Sequence, residues 1–202
     1  MPLNENFLLG ICGSPRNQAT EFAVKYALEY ATEKFDFETE FWTVRNKEIK
    51  FCIHCDYCIR EKKGCIHKDD LQDLYPKLEQ AKFLLFGTPV FQGNLSAQTK
   101  AVMDRCRAIV AKNPQVFKNK IGMALAVGGD RSGGQELAIR SILDFYQQNH
   151  VISVSGGAFG ANLGAALWSN DKGKLGVKND DEGLKAIRMV IKRIGEFKGL
   201  NL

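Results

Sequence analysis

Short apolar runs alternate with amphipathic helical patterns along this chain, and the alternation sets the class of fold available to it. The apolar runs predict five β-strands, over residues 7–12, 37–44, 82–87, 121–127 and 151–154. The main helical patterns cover residues 20–34, 96–111, 135–148 and 181–197. A further helix is indicated after Asp69, with Gln72 at the capping-box position. Five β–α units predict an α/β fold, in which a parallel sheet carries helices on both faces.

The composition is that of an ordinary globular protein and favours one domain over residues 1–202. Of the 202 residues, 45% are hydrophobic and 25% are charged, which argues against a disordered or fibrous chain. The net charge of +5 suits an anionic cofactor or an acidic partner. The excess of basic residues is too small and too dispersed to indicate a nucleic-acid-binding protein.

The sequence predicts a cytoplasmic protein that makes no use of a membrane. The first residues lack the cationic region of a secretory signal. A charge-free stretch over residues 151–170 is long enough to cross a bilayer, but it contains glycines, serines and Asn162. We therefore expect this stretch to be buried or to face a cofactor.

Four of the six cysteines fall within fourteen residues, inside an irregular segment over residues 45–68. They are Cys52, Cys55, Cys58 and Cys65, with the spacing C-x2-C-x2-C-x6-C. In a cytosolic chain such clustering favours metal or redox chemistry over disulfides, because short spacings let thiolates converge on one centre. The run is closer to a ferredoxin-like iron–sulfur motif than to a zinc ribbon, whose cysteine pairs lie well apart. Zinc and a metal-free redox-thiol motif stay open as alternatives.

The other two cysteines are not candidate ligands. Cys106 lies four residues after Val102 and three before Ile109, which places it on the apolar face of a predicted helix. We expect it to pack in the core. Cys12 ends the first predicted strand, directly before a glycine-rich loop.

Loops rich in glycine and hydroxyl residues follow the first, third and fourth predicted strands. The carboxyl ends of parallel strands share one edge of a sheet, and ligands bind there. The first loop leads into a helix, whose free N–H groups and dipole favour phosphate. Ser14 and Thr20 can add hydroxyl donors, and Arg16 a forked cation. No G-x-G-x-x-G follows this strand and the chain has no Walker A lysine pattern, so one phosphate is favoured over a dinucleotide or a nucleoside triphosphate.

The second and third loops suit a flat ring system such as a flavin. In the second, Pro89, Val90 and Phe91 offer an apolar wall, while Gly93 and Asn94 leave polar groups open. Packing in the core is the alternative for Phe91. The third loop allows close approach of its backbone to a planar ligand. Its candidate contacts are Gly128, Gly129, Asp130, Gly133 and Gly134.

These segments resemble the flavodoxin-like NAD(P)H:FMN reductase superfamily over nearly the whole chain. Residues 13–16 (Gly-Ser-Pro-Arg) are similar to its phosphate loop, and residues 88–91 (Thr-Pro-Val-Phe) to its isoalloxazine segment. That second similarity extends to Gly93, Lys100, Asp104 and Arg105. Within the superfamily, the cysteine motif followed by two aspartates resembles the iron–sulfur flavoproteins of anaerobes. Further similarity to that group lies in residues 69–70, 128–136, 141–142 and 156–160.

The resemblance implies a doubly wound, five-stranded parallel sheet of the flavodoxin type, with the cysteine-rich loop inserted over residues 45–68. It implies one FMN and one [4Fe-4S] cluster per subunit. It further implies a homo-oligomer, a dimer or a tetramer, and ferredoxin as an electron donor. The first loop is one residue shorter than in common relatives, which leaves open whether Asn17, Gln18 or Thr20 makes the last contact with the FMN phosphate.

The leading hypothesis is therefore an electron-transfer flavoprotein that passes electrons from a one-electron donor through the cluster to FMN. The acceptor would be a two-electron acceptor such as oxygen, a peroxide or a quinone. No catalytic side chain is needed, because the protein supplies position, burial and charge. The enzymatic alternative is an NAD(P)H-dependent FMN or quinone reductase whose cysteines hold no cluster. The non-enzymatic alternative is a zinc-stabilised binding module.

Overall fold

Seven strands form one sheet in the computed structural model, which describes residues 3–200. The strands are β1 (Asn4–Cys12), β2 (Glu38–Thr43), β3 (Ala81–Phe91), β4 (Asn94–Leu95), β5 (Ile121–Gly128), β6 (Ile152–Ser153) and β7 (Ala165–Trp168). The helices are α1 (Ala19–Phe35), α2 (Tyr57–Glu61), α3 (Leu74–Gln80), α4 (Ala97–Arg105), α5 (Arg107–Lys112), α6 (Gln135–Gln148), α7 (Gly173–Lys178) and α8 (Asp181–Gly195). A 3-10 helix over Asp70–Asp73 precedes α3.

The body of the sheet has five parallel positions, as the sequence predicts. The strand order is β2–β1–β3–β5, and β6 and β7 both pair with the free side of β5. At the carboxyl edge, Cys12 of β1 lies opposite Gly87 of β3, and Pro89 of β3 lies opposite Val127 of β5. The loops after β1, β3 and β5 therefore leave the sheet side by side.

Helices cover both faces of the sheet, and each face has its own apolar core. Side chains of α3, α4, α5 and α6 bury one face, around Trp42, Phe86 and Phe145. Side chains of α1, α7 and α8 bury the other, around Phe37 and Phe83. This two-sided burial explains why the central strands are continuous apolar runs rather than alternating ones. The doubly wound flavodoxin-like arrangement is confirmed.

The fifth strand position differs from its prediction. The predicted strand over residues 151–154 is reduced to β6, which pairs with the first residues of β5. The chain then leaves the sheet and returns as β7, which pairs with the last four residues of β5. The glycines between the two favour this excursion, because they tolerate the positive φ found at Gly157 and Gly160. The sequence Ala-Ala-Leu-Trp of β7 is short and half alanine, so it gives little strand signal.

The charge-free stretch over residues 151–170 is thus a sheet edge with an excursion and not a helix. Within residues 3–200, no helix has both the length and the apolar character that a bilayer crossing would need.

The predicted helix over residues 96–111 is divided at Cys106 into α4 and α5. Ser96 caps α4, since its hydroxyl accepts a hydrogen bond from the Thr99 amide. Cys106 is buried in the core, as predicted, and burial raises the pKa of its thiol to about 12. The two residues that flank it, Arg105 and Arg107, bind different parts of the cysteine segment.

Asp69 is the N-cap residue of the 3-10 helix, as predicted, but the predicted capping box with Gln72 is wrong. The Gln72 side chain does not reach back to Asp69 but donates a hydrogen bond to the His67 carbonyl. The Asp69 carboxylate is bound by Arg105 and by the Lys50 amide. A buried guanidinium requires an anionic partner, and this requirement decides the position of Asp69.

Candidate flavin and cysteine sites

The three candidate loops meet at the carboxyl edge of the sheet. The Gly13 amide of the first loop donates to the Gly87 carbonyl of the second at 2.8 Å. A Cβ atom on Gly134 of the third loop would lie 2.4 Å from the Gly93 carbonyl oxygen of the second. The loops predicted to share a ligand are therefore in direct contact.

The first loop exposes its polar residues above a buried serine. The Ser14 hydroxyl accepts a hydrogen bond from the Arg16 amide at 3.2 Å, which fixes the turn. Arg16, Asn17 and Gln18 are exposed, whereas Thr20 is buried in the first turn of α1. Gln18 occupies the N-cap position without a side-chain capping bond, so the first amides of α1 have no side-chain acceptor there.

Sequence reasoning missed a charged triad below this loop. Glu21, in the first turn of α1, is buried and binds Lys25 at 2.7 Å and Arg45 at 3.2 Å. Burial opposes the charged carboxylate, but these two cations hold the pKa of Glu21 below its usual value. Two cations on one carboxylate leave a net positive charge beside the N-terminus of α1, which suits an anionic ligand.

The second loop is a β-hairpin, which the sequence analysis did not predict. β4 pairs antiparallel with the end of β3, so that Phe91 lies opposite Asn94. Gln92 and Gly93 turn the chain with φ of 49° and 80°, the signs that a type I′ turn requires. Phe91 is 38% exposed, which excludes the core-packing alternative. The apolar wall therefore faces outward from the sheet edge, with Pro89 buried behind it.

Buried hydroxyl groups fasten this hairpin to the first loop. The Thr88 hydroxyl oxygen accepts from the Ser96 amide at 3.1 Å and from the Thr99 hydroxyl at 2.9 Å. The Ser96 hydroxyl donates to the Gly13 carbonyl at 2.7 Å. Any side chain at Gly13 would collide with Thr99, since a Cβ atom there would lie 1.8 Å from its hydroxyl oxygen. The start of α4 thus fixes two of the three loops relative to each other.

The third loop is organised by Gln135, the first residue of α6. Its buried side chain accepts from the Gly133 amide at 2.9 Å and donates to the carbonyls of Asp130 and Leu167. The Gly128 carbonyl is occupied by the amide and hydroxyl of Ser169. Close packing surrounds the glycines, because a Cβ atom on Gly129 would lie 2.4 Å from Asp171.

Contacts on both sides limit the freedom of the third loop and the hairpin. Arg131 stacks 4.5 Å above the Trp168 ring centre and binds the buried Asp180 at 3.3 Å. On the hairpin, the Asn94 side-chain oxygen accepts from the Ser141 hydroxyl of α6 at 3.0 Å. The edge of the sheet is therefore a preformed surface.

The cysteine segment leaves β2 and returns to α3 along the outside of the molecule. Its four thiols are free; Cys55 is exposed, and Cys52, Cys58 and Cys65 are half-buried. The backbone turns sharply between them, with left-handed conformations at His54, Asp56, Lys62 and Gly64. The segment is irregular, as predicted, apart from the short helix α2.

The four cysteines share one segment, but their side chains are not gathered into a ready metal site. Among residues 3–200, no group of three or more His, Cys, Asp or Glu side chains is arranged to hold a metal ion. Cys65 lines a cavity of about 230 Å³ together with Tyr75 of α3 and Ile109 of α5. Asp56, between two cysteines, binds Arg107 at 2.7 Å, and this bond lowers the pKa of Asp56.

Lys100, Asp104 and Arg105, which carry part of the similarity to the isoalloxazine segment, form ion pairs. Lys100 and Asp104 form an exposed ion pair one turn apart on α4. Arg105 is buried and donates to Asp69 and to the Lys50 carbonyl, at the base of the cysteine segment. The Arg105–Asp69 pair spans residues 36 apart in the chain, so no local pattern could reveal it.

Known proteins share the family and the fold of this chain. The model of the NADPH-dependent FMN reductase family matches residues 8–166. The structure resembles the apo form of an NADH:FMN oxidoreductase with a TM-score of 0.69 at 17% identity, over 97% of this chain and 91% of the other. At this identity the similarity concerns the fold alone.

Relatives found by sequence share far more identical residues with this chain than that structure does. An iron–sulfur flavoprotein of Methanocaldococcus jannaschii is 56% identical over 94% of this chain and 95% of its own length. One of Archaeoglobus fulgidus is 55% identical over 94% of this chain and 96% of its own. The chain therefore belongs to the NADPH-dependent FMN reductase family and, within it, to the iron–sulfur flavoproteins, and it is an FMN-dependent oxidoreductase.

Proposed function

We propose that the protein transfers electrons from a one-electron donor such as ferredoxin, by way of a [4Fe-4S] cluster and FMN, to a two-electron acceptor. Oxygen, peroxides and quinones are acceptors of that class. One observation carries the proposal: α4 begins at the flavin loops, through Ser96, and ends at the cysteine segment, through Arg105. Its nine residues span about 14 Å at 1.5 Å per residue, so one helix would connect the two proposed sites.

The edge of the sheet fits FMN. Ser14, Arg16 and the uncapped start of α1 would hold the phosphate, with Asn17, Gln18 or Thr20 as the further contact. The hairpin and the third loop would hold the ring. Their proposed contacts are Pro89, Val90, Phe91, Gly93, Asn94, Gly128, Gly129, Asp130, Gly133 and Gly134. When bound, FMN supplies the exchange of one or two electrons.

The cysteine segment fits an iron–sulfur cluster by the chemistry of its donor set. Cys52, Cys55, Cys58 and Cys65 are four free thiols at the surface of one loop, and thiolates are the ligands of such clusters. Their side chains would have to turn toward one another on binding. When bound, the cluster supplies one-electron exchange, which matches the proposed donor. Free cysteines throughout the chain also fit a reducing cytoplasm.

The surface around the cysteines supports two further proposals about partners. Lys62, Lys63 and Lys68 are exposed on the segment and would attract an acidic ferredoxin. Four apolar side chains of the same segment are exposed: Phe51, Ile53, Ile59 and Ile66. A second subunit of a dimer or tetramer would bury them and shield the cluster from water.

A second candidate function is an NAD(P)H-dependent FMN or quinone reductase without a cluster. Two observations favour it. The four thiols are not gathered into a metal site, and the matching family model is that of NADPH-dependent FMN reductases.

Anaerobic purification followed by iron, sulfide, zinc and flavin assays separates the candidates. We expect about four iron and four sulfide per FMN if one [4Fe-4S] cluster is bound. Flavin without iron, bleached rapidly by NAD(P)H, would favour the reductase. A colourless protein with one zinc would favour the zinc-stabilised module.

The contact between Gly134 and Gly93 gives a first prediction. Gly134 has φ of 109°, and a Cβ atom there would overlap the Gly93 carbonyl oxygen. Gly134→Ala should push the two ring-binding loops apart, lowering stability by about 1–3 kcal/mol and weakening FMN binding about tenfold. Thermal denaturation and a titration of FMN fluorescence measure the two effects.

Gly157→Ala is the matched control for that variant. Gly157 also has a positive φ, 89°, but a Cβ atom there would have no neighbour within 4 Å. Its replacement should lower stability by about 1 kcal/mol through backbone strain alone and leave FMN binding unchanged. Equal FMN affinity in the two variants would show that the contact between the loops has no part in flavin binding.

A further inference from the structure

The cysteine segment is closed at its base by one arginine. Arg105 donates from one nitrogen to the Lys50 carbonyl at 2.6 Å and to Asp69 at 2.8 Å, and from another to Asp69 at 3.0 Å. Asp69 also accepts from the Lys50 amide at 2.9 Å. Lys50 lies two residues before Cys52, and Asp69 lies four residues after Cys65. Residues on either side of the four cysteines are thus bound to the same guanidinium. We call this set of hydrogen bonds the closure.

The closure is buried, so its charged groups require well-aligned hydrogen-bond partners within the protein. The side chains of Arg105 and Asp69 are each 1% exposed, so neither charge can be satisfied by water. Burial opposes both charges, but their hydrogen bonds hold the pKa of Asp69 below its usual value and that of Arg105 above. A planar fork of donors meets a carboxylate and a carbonyl here, a geometry that lysine cannot reproduce.

Arg105 is linked through Tyr75 to the cavity that one of the four cysteines lines. The Tyr75 hydroxyl donates to the Arg105 carbonyl at 3.2 Å, and Tyr75 and Cys65 line the same cavity. The Arg105 Nε–H is buried and has no hydrogen-bond partner among the described residues. One donor of the Arg105 side chain is therefore left over.

We infer that Arg105 is a positioning residue for the cysteine set: it joins the residues on either side of the four cysteines and so fixes the position of Cys65, which lies four residues before Asp69. The part of this inference that concerns cluster binding rests on the proposed function. The closure itself does not, because its hydrogen bonds join Arg105, Asp69 and Lys50 and involve none of the four cysteines.

Thiol alkylation of the full-length, FMN-bound protein prepared without iron tests the closure. Arg105→Lys keeps the charge but loses the fork, so the segment should open and Cys65 should be alkylated about tenfold faster, as for the loss of one good hydrogen bond. Arg107→Lys is the matched control, since Arg107 is partly exposed and its partner Asp56 lies within the segment and not at its ends. It should change the Cys65 rate less than twofold.

Cys106 serves as an internal reporter of general unfolding. It is 1% exposed in the core and should stay unreactive in a variant whose segment alone has opened. Mass spectrometry follows Cys65 and Cys106 in the same sample. Faster reaction at Cys65 with Cys106 protected supports the inference. An unchanged Cys65 rate in a folded Arg105→Lys protein would overturn it.

Two further measurements decide the matter if Arg105→Lys fails to fold. Asp69→Asn keeps the shape of the carboxylate but loses its charge, and it should open the segment in the same way. In the wild-type protein, the Lys50 and Asp70 amides, which donate to Asp69 and to the Glu48 carbonyl, should be protected from hydrogen exchange. Rapid exchange at both amides in the wild type would overturn the inference without any variant.

Reconstitution with iron and sulfide then tests cluster binding separately from the closure. If the wild type binds a cluster, Arg105→Lys and Asp69→Asn should retain less than half of its iron and sulfide, with FMN content unchanged. Full cluster content in both variants would limit Arg105 to a structural role and overturn its positioning role. If the wild type binds no cluster, the proposed function fails, and the alkylation and exchange results still decide whether Arg105 closes the segment.

Discussion

Replacing Arg16 with alanine should weaken FMN binding about 10- to 100-fold, the effect of losing charge-assisted hydrogen bonds to a phosphate. The side chain is exposed at the start of α1, where the backbone amides lack a side-chain cap. The turn itself is held by the Ser14 hydroxyl and not by the guanidinium, so the fold should be unaffected. Titration of FMN fluorescence measures the affinity, and thermal denaturation of the flavin-free protein measures the stability.

Arg140→Ala is the control for this variant. Arg140 is an exposed arginine of α6 that pairs with Asp144 one turn away, so its removal changes the net charge equally. We expect its effect on FMN binding to be less than about twofold, as for other exposed ion pairs. If Arg16→Ala and Arg140→Ala bind FMN equally well, the phosphate does not lie at the first loop.

Much of the fold could be predicted because the pattern that encodes it is local. Continuous apolar runs such as the one in β5 are typical of strands buried on both faces, and α6 was predicted with its observed bounds. The doubly wound, flavodoxin-like arrangement came from the resemblance. The shared edge of the loops followed from the parallel arrangement, and the contact between Gly134 and Gly93 agrees with it.

The parts that sequence reasoning missed depend on contacts between distant residues. β5 extends past β6, and β7 pairs with the edge that this leaves free. The sequence of β7 itself gives little indication of a strand. The division of the helix at Cys106 separates Arg105, which turns inward to Asp69, from Arg107, which binds Asp56. Asp69 is the N-cap residue that its local context predicts, but its carboxylate binds the buried guanidinium of Arg105, and no local pattern reveals that contact.

Replacing Cys58 with alanine should remove iron and sulfide from the protein and leave FMN in place. Cys58 lies in α2, at the middle of the cysteine segment, and one missing thiolate leaves a cluster with an incomplete ligand set. The flavin loops follow β1, β3 and β5, whereas Cys58 lies in the segment that follows β2. Iron, sulfide and flavin assays on anaerobically purified protein measure the change.

Cys106→Ala is the matched control, because it also removes one thiol. Cys106 packs in the core, and its replacement leaves a small cavity that should cost about 1 kcal/mol of stability. Cluster and flavin contents should stay at wild-type values. Equal loss of iron from both variants would mean that the thiols of the segment have no special role as ligands.

The same pair of variants tests the direction of electron flow. If electrons enter at the cysteine segment, reduced ferredoxin should no longer bleach the flavin of Cys58→Ala, although a small chemical reductant that reaches FMN directly still should. Cys106→Ala should behave as the wild type with both reductants. Stopped-flow absorbance, which separates flavin bleaching from that of a cluster, makes the comparison. Unchanged bleaching by ferredoxin in a cluster-free Cys58→Ala protein would show that ferredoxin reduces FMN without the cysteines. The exposed lysines of the segment would then have no role in docking ferredoxin for electron transfer through the cysteines. The NAD(P)H-dependent reductase would become the favoured function.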